Sequence, residues 1–406
     1  MKSKNLLLTL LIILFSTCII YPQEKNKGEF IDRFSPYYDQ MLKEINEFEN
    51  PPKLQKKYFK LDYSGLNIPK ALSEFKYYWF NEPSSQGITG TCWSFCTTSF
   101  YESEIYRIHN KKLKLSEMWT VYWEYIEKAK GWVRMRGEMN FGEGSQSNAV
   151  KRIWKLYGVV PLEVYTGLLP NQKFHNHSKM FNEMQAYLEY VKKKNEWNEE
   201  VVIGTIKSIL NHYMGTPPEK FIYQNKEYTP KEFLEKEVNL DLDDYVDIMS
   251  LLEQPFYEQV EYPVPDNWWH NKEYYNIPVE EFMALIKEAI RNGFTMAIGG
   301  DVSEAGYDSR SKAGIVPTFD IPSNYIDDYA REFRFDNKTT GDDHGIHLVG
   351  YTTKEGKDWY LIKDSGAGSR NVEPKGFYFY HEDYVKLKML TLTVHKDAAQ
   401  KILSKF

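Results

Sequence analysis

Gln86-Gly-Ile-Thr-Gly-Thr-Cys92-Trp-Ser-Phe95 is the stretch on which the reading of this 406-residue chain turns. Two glycines precede the cysteine and an apolar run follows it at once, so the pattern predicts a tight turn that delivers Cys92 to the start of a helix. At neutral pH a thiol becomes a good nucleophile when it ionises easily, and a helix N-terminus beside an imidazole favours the thiolate. Taken alone, a cysteine near a helix start is more often buried packing than a nucleophile. Phe95, Ser99, Phe100 and Ile105 are spaced to give the predicted helix a core face as far as about His109.

Working outward, Ser116 is a good N-cap for a second helix through Trp119, Tyr122, Trp123 and Ile126. A third is predicted from about Gln146 to Tyr157, stopped by Gly158 with Pro161 beyond. Residues 171–275 are charged and helix-prone near 178–194, 199–214 and 230–238, and read as a helical insertion. After Pro278, Phe282, Leu285, Ile286, Ala289 and Ile290 recur at helical spacing up to Gly293. The period then changes: 294–298, 345–351, 359–362 and 376–380 are short, aromatic or β-branched, and bounded by turns. Helices first and strands later predict an α+β fold with the site between two lobes. The expected division is an export signal at 1–22, an N-terminal extension at 23–80, a helical lobe with the nucleophile at 81–170, the insertion at 171–275, and a strand-rich lobe at 276–406.

Lys2 and Lys4 ahead of the apolar run Leu6–Phe15 carry the export reading. The run is shorter than the roughly 20 apolar residues of a membrane span, which predicts cleavage rather than a stable anchor. A lipid attached at Cys18 is the alternative, disfavoured by Thr17 where Gly, Ala or Ser is usual. Beyond the signal only Cys92 and Cys96 remain, and two cysteines four residues apart on one helix are badly placed to form a disulfide. A net charge of −6 gives no basic footprint for nucleic acid. Aromatic residues at 16% suit broad packing surfaces or a substrate groove. The cluster Asp241, Asp243, Asp244 lacks the glycine and distal glutamate of a calcium loop and reads as helix-capping carboxylates.

The front motif resembles the papain superfamily of cysteine peptidases, in which Gln, five residues and then Cys-Trp-x-Phe open the active site. The resemblance implies that Cys92 is the nucleophile and that Gln86, with the Cys92 N–H, donates to the developing oxyanion. It also implies a His followed six residues later by Gly-Tyr, which Asp343-His344-Gly-Ile-His-Leu-Val-Gly350-Tyr351 supplies, with His344 as base. His347, three residues on, falls on the opposite face of a strand and reads as packing or surface. Spacing does not support His344 and His347 as a metal pair. The third member, normally Asn-Ser-Trp-Gly, is replaced by Asp364-Ser365-Gly366. Asp364 is expected to accept from the imidazole Nδ1–H, and the missing Trp predicts weaker shielding of that bond from water.

Within the superfamily the chain from about 80 to 395 is more similar to bleomycin hydrolase and bacterial aminopeptidase C. Leu115-Ser-Glu-Met-Trp-Thr-Val-Tyr-Trp123, Glu143-Gly-Ser-Gln146, Tyr157-Gly-Val-Val-Pro161, Tyr228-Thr-Pro-Lys-Glu-Phe233 and Gly300-Asp-Val302 carry the likeness. It implies that the backbone of Gly144 and Ser145 holds extended substrate; helix capping by Ser145 is the structural alternative. The implied activity is peptide-bond hydrolysis through an acyl-enzyme, aminopeptidase-like, on peptide or protein substrates and without a cofactor. Members of that family assemble as hexamers, so a homo-oligomer is implied as well. Those relatives are cytoplasmic and end in a long arm that enters the cleft, whereas this sequence opens on an export signal and ends at Ile402-Leu-Ser-Lys-Phe406. An open-cleft endopeptidase, a non-catalytic peptide-binding protein and an acyl transferase using the same thioester are the other readings.

Overall fold

The computed structural model describes residue 27, residues 29–51 and residues 57–406, so the export signal and Cys18 lie outside the described residues. The chain divides into two compact units at residues 57 and 58. In the first unit Pro36–Glu49 forms helix α1, with Pro36 in the first turn, where its missing N–H leaves no bond unmade.

The second unit begins with residues that the sequence reading assigned to the extension. Lys76 and Tyr77 pair with Tyr351 and Gly350 along a sheet edge, and Phe75 stacks on Phe379 at 5.2 Å. Helix α2 spans Cys92–His109, starting at the predicted residue and ending where Asn110 takes a left-handed φ of 53°. In α3 (Glu117–Arg134), Ser116 accepts the Trp119 N–H at 3.0 Å, the expected cap. Gln146 is the N-cap of α4, Ser147–Tyr157, which Gly158 closes. Next come α5 (Ser178–Lys194), α6 (Glu199–Met214) and α7 (Val279–Arg291).

Six longer strands carry the sheet: β1 (Tyr245–Met249), β2 (Met296–Gly300), β3 (His344–Lys354), β4 (Lys357–Lys363), β5 (Phe377–His381) and β6 (Met389–His395). Their spatial order is β1-β6-β2-β3-β4-β5, each neighbour antiparallel. Short strands extend the sheet to eleven among the described residues.

Residues 171–275, read as a helical insertion, contain α5 and α6 but also β1 and the edge strand Gln259–Val260, and they run into Tyr274–Asn276, which pairs between those two strands. Charge misled the reading there. Asp241 caps only the short turn Leu242–Asp244, and Tyr245 to Met249 then run extended alongside β6. Asp247 is tolerated in the core because Thr393 donates to it at 2.6 Å and Lys151 lies 3.8 Å away.

Two cores position the site. One packs Phe100, Tyr101, Trp119 and Trp154 among the helices; the other packs Phe282 and Ile286 of α7 against Ile298, Ile346 and Tyr380 of the sheet. Helix α2 lies directly on β3. That approach needs Gly345, since a Cβ there would stand 2.9 Å from Cys96 Sγ and 3.4 Å from Trp93 Cα.

Candidate active site

Cys92 is the first residue of α2, a free thiol only partly covered. The first N–H groups of a helix have no acceptor within it, so they remain free for a group bound beside Cys92. Phe100 and Ile105, fully buried, anchor the helix behind it. The Gly345 N–H points at Cys92 Sγ from 3.5 Å across the α2–β3 contact.

His344 opens β3, and the β3–β4 hairpin, which pairs His347 with Lys363, returns Asp364 to its side. Asp364 Oδ2 bonds His344 Nε2 at 2.7 Å. The nitrogen is Nε2 and not the Nδ1 expected from sequence, and this leaves Nδ1 for Cys92. Asp364 Oδ1 accepts the Gly366 N–H at 2.6 Å. Burial alone would lower the His344 pKa, but the Asp364 charge and the Cys92 sulfur more than offset it and hold the imidazole well above its ordinary range. Burial would likewise raise Asp364, yet His344 and the Gly366 N–H hold it below the usual carboxylate range. The Asp364 side chain is 1% exposed. The carboxylate is therefore shielded without the Trp, with the Gly366 N–H and Ser369 beside it.

Gln86 is buried behind these groups. Its Nε2 donates to the Thr89 carbonyl at 2.7 Å and its Oε1 accepts from Ser365 Oγ at 2.7 Å. One amide N–H is left over. Gln86 is not among the residues lining the cleft beside Cys92, whereas Gly144 and Ser145 are, together with His344, Gln146, Asp266 and Asp342, around a cavity of about 240 Å³. Ser145 does not cap α4; its hydroxyl donates to Glu124 Oε1 at 2.8 Å. Glu124 also meets Arg152 and accepts from Trp268 Nε1 at 2.7 Å, so one buried carboxylate fixes the wall that carries Gly144. Asp266 lies so close over Gly144 that a Cβ there would be 1.9 Å from Oδ2, so any side chain at 144 would have to displace that carboxylate.

His347 is fully buried and bonds Ser99 Oγ through Nδ1 at 2.9 Å, while Lys363 donates to the same hydroxyl at 2.8 Å. It packs, as its strand parity predicts. Cys96 is buried beneath Cys92, and burial pushes its thiol up to about 12, an inert value. Sequence reasoning missed Asp266, Asp342 and Thr391 in the cleft wall. Asp342 stood two residues before His344 and carried a signal; Asp266 and Thr391 arrive only through the fold.

A model of the Peptidase C1-like family matches residues 74–405. Aminopeptidase C of Lactococcus lactis subsp. lactis (strain IL1403) is 21% identical over 77% of this chain and 80% of its own length. Aminopeptidase C of Lactobacillus helveticus is 22% identical over 80% and 81%. Among solved structures, PepW from Lactobacillus rhamnosis HN001 superposes with a TM-score of 0.61 at 17% identity, covering 84% of this chain and 86% of the other. The fold is papain-like, and with it the class is defined: a papain-like cysteine peptidase. The chain belongs to the Peptidase C1-like family.

Proposed function

We propose that this protein is an exported cysteine aminopeptidase working through an acyl-enzyme. The observation that carries the chemistry is a thiol at a helix N-terminus facing an imidazole whose far nitrogen is held by a buried carboxylate. Cys92 Sγ attacks the peptide carbonyl, forming the S–C bond. His344 gives its Nδ1 proton to the departing amine as the C–N bond breaks, leaving a thioester. Water then loses a proton to His344 and attacks the acyl carbon, the C–S bond breaks, and the proton returns to the thiol. Asp364 orients the ring and stabilises imidazolium. The free N–H of Gln86 and that of Cys92 are the oxyanion donors in this scheme, and Gly144 with Ser145 holds the extended substrate. The aminopeptidase habit rests on the names of the two relatives.

Paired fluorogenic peptides, one with a free N-terminus and one acetylated, test this with Cys92→Ala as control. Cleavage of the free peptide alone, absent in Cys92→Ala, is expected. Cleavage of both would make it an endopeptidase, and full activity in Cys92→Ala would sink the thiol mechanism. Export is supported by Lys2, Lys4 and Leu6–Phe15. N-terminal sequencing of protein recovered from the producing cells and their medium should find a start beyond residue 22; an intact Met1 would count against export.

A further inference from the structure

The cleft wall beside Cys92 carries carboxylates that no cation meets. Asp266 and Asp342 both line the cavity that holds Cys92 and His344. Asp342 takes one bond, from the Gln146 amide. Asp266 has no hydrogen bond or ion pair among the described residues. Several buried carboxylates elsewhere are matched, Glu124 with Arg152, Glu102 with Lys114 at 3.1 Å and Asp358 with Arg291 at 2.8 Å, while Asp343, which also lines the cavity, accepts only the Val302 N–H at 3.4 Å among the described residues. The cation near Asp266 is Lys128, but its ammonium is turned to the carbonyls of Gly142 and Gly144. Among the described residues no group of His, Cys, Asp or Glu side chains is arranged to hold a metal ion.

A second observation points the same way. Thr391 is 7% exposed and lines the same cavity, yet its hydroxyl has no hydrogen-bond partner among the described residues. A wall with an open hydroxyl and two carboxylates that face no cation among the described residues is complementary to a donor that arrives with the ligand. Burial, reinforced by the neighbouring Asp266, pushes Asp342 up to about 7, so an incoming cation would take the place of a proton.

We propose that Asp266 and Asp342, with the Thr391 hydroxyl, form a subsite that receives a primary ammonium group of the substrate, carried on the α-amino end of the residue joined to Cys92 or on a lysine side chain next to it. This deepens the peptidase reading and rests on it. In the first case the subsite is what makes the enzyme prefer free N-termini.

The test labels Cys92 irreversibly, so that recognition is read without hydrolysis. Three probes are compared by mass spectrometry on the full chain: alanyl chloromethyl ketone with a free amine, its N-acetyl form, and N-acetyl-lysyl-alanyl chloromethyl ketone. Either ammonium-bearing probe should label roughly tenfold or more faster than acetyl-alanyl chloromethyl ketone, and the faster of the two identifies the source. Asp266→Asn and Asp342→Asn should remove that preference, bringing the ammonium-bearing probes down to the acetyl-alanyl rate measured in the same variant. The same preference should fall in the unaltered protein as salt is raised, a check that needs no variant. Equal rates for all three probes, or variants that slow all three alike, would overturn the subsite. Peptide turnover without any preference sinks the subsite alone, preference without turnover sinks the peptidase reading alone, and no labelling of Cys92 overturns both.

Discussion

Asp364 Oδ2 and His344 Nε2 stand 2.7 Å apart, where His344 opens β3 and Asp364 follows the last residue of β4, and the carboxylate is almost wholly buried. A charge replaces the amide usual at this position in the papain pattern, and it acts on the imidazole directly. The carboxylate favours imidazolium, so His344 keeps its proton to higher pH than an ordinary histidine.

Asp364→Asn removes that charge and keeps the shape. The His344 pKa falls, so the alkaline limb of the kcat/KM profile should move toward neutral pH while the rate at the optimum drops less than in Asp364→Ala. An alkaline limb in the same place for Asp364→Asn as for the unaltered protein would show that the carboxylate does not set it.

Stability follows the same linkage in the free protein. His344 is raised in the folded state, so its contribution is fully present below the unfolded value near 6.5 and is lost as pH rises through the folded pKa. Asp364 is lowered, so its contribution is present above about 3.9 and is lost as pH falls through its folded pKa. Urea midpoints measured across pH should therefore decline at both ends, and the alkaline decline should shrink in His344→Gln.

Gln86 bonds Thr89 and Ser365 and is left with one N–H, which the proposed scheme assigns to the oxyanion. Gln86→Ala should lower kcat by about 10²–10³ with a smaller change in KM. Loss of the two bonds should cost on the order of 1–3 kcal/mol of stability. A stability loss with kcat unchanged would reduce Gln86 to a structural residue.

Arg152 neutralises Glu124 and lies over the Trp269 ring at 4.5 Å. Arg152→Ala should cost roughly 3–5 kcal/mol, the figure for uncovering one half of a buried pair. Arg152→Lys should recover only part of it, because an ammonium cannot stack. Denaturant midpoints for the two variants give the answer.

Gly144→Ala drives a Cβ into the Asp266 carboxylate. It should lower the thermal midpoint, and pairing it with Asp266→Gly should restore much of the loss, a coupling that two independent sites would not show. Additive losses would mean that the backbone yields instead of the carboxylate.

Much of this was legible in sequence because it is local. Helix α2 was marked by the turn residues before Cys92 and the apolar spacing after it, α3 by the Ser116 cap, and α7 by a sustained 3.6-residue period. Residues Cys92, His344 and Asp364 were found because their neighbours, Trp93-Ser-Phe95, Gly350-Tyr351 and Ser365-Gly366, keep a resemblance that short spacing preserves. Strand β1 was lost because charge near Asp241 masks a strand whose partner β6 lies more than a hundred residues on, and pairing of that range leaves no local period.

By itself, then, the sequence determined the helix that presents Cys92, the identity of the imidazole and its carboxylate, and the family that such spacing implies. Tertiary structure alone decided which imidazole nitrogen Asp364 takes, that the carboxylate is shielded without the Trp, and that Asp266, Asp342 and Thr391 meet beside Cys92. The physical reason is that spacing along the chain encodes local conformation, while ring orientation, burial and the convergence of distant carboxylates depend on how β3 packs against α2 and on the loops that close over that contact.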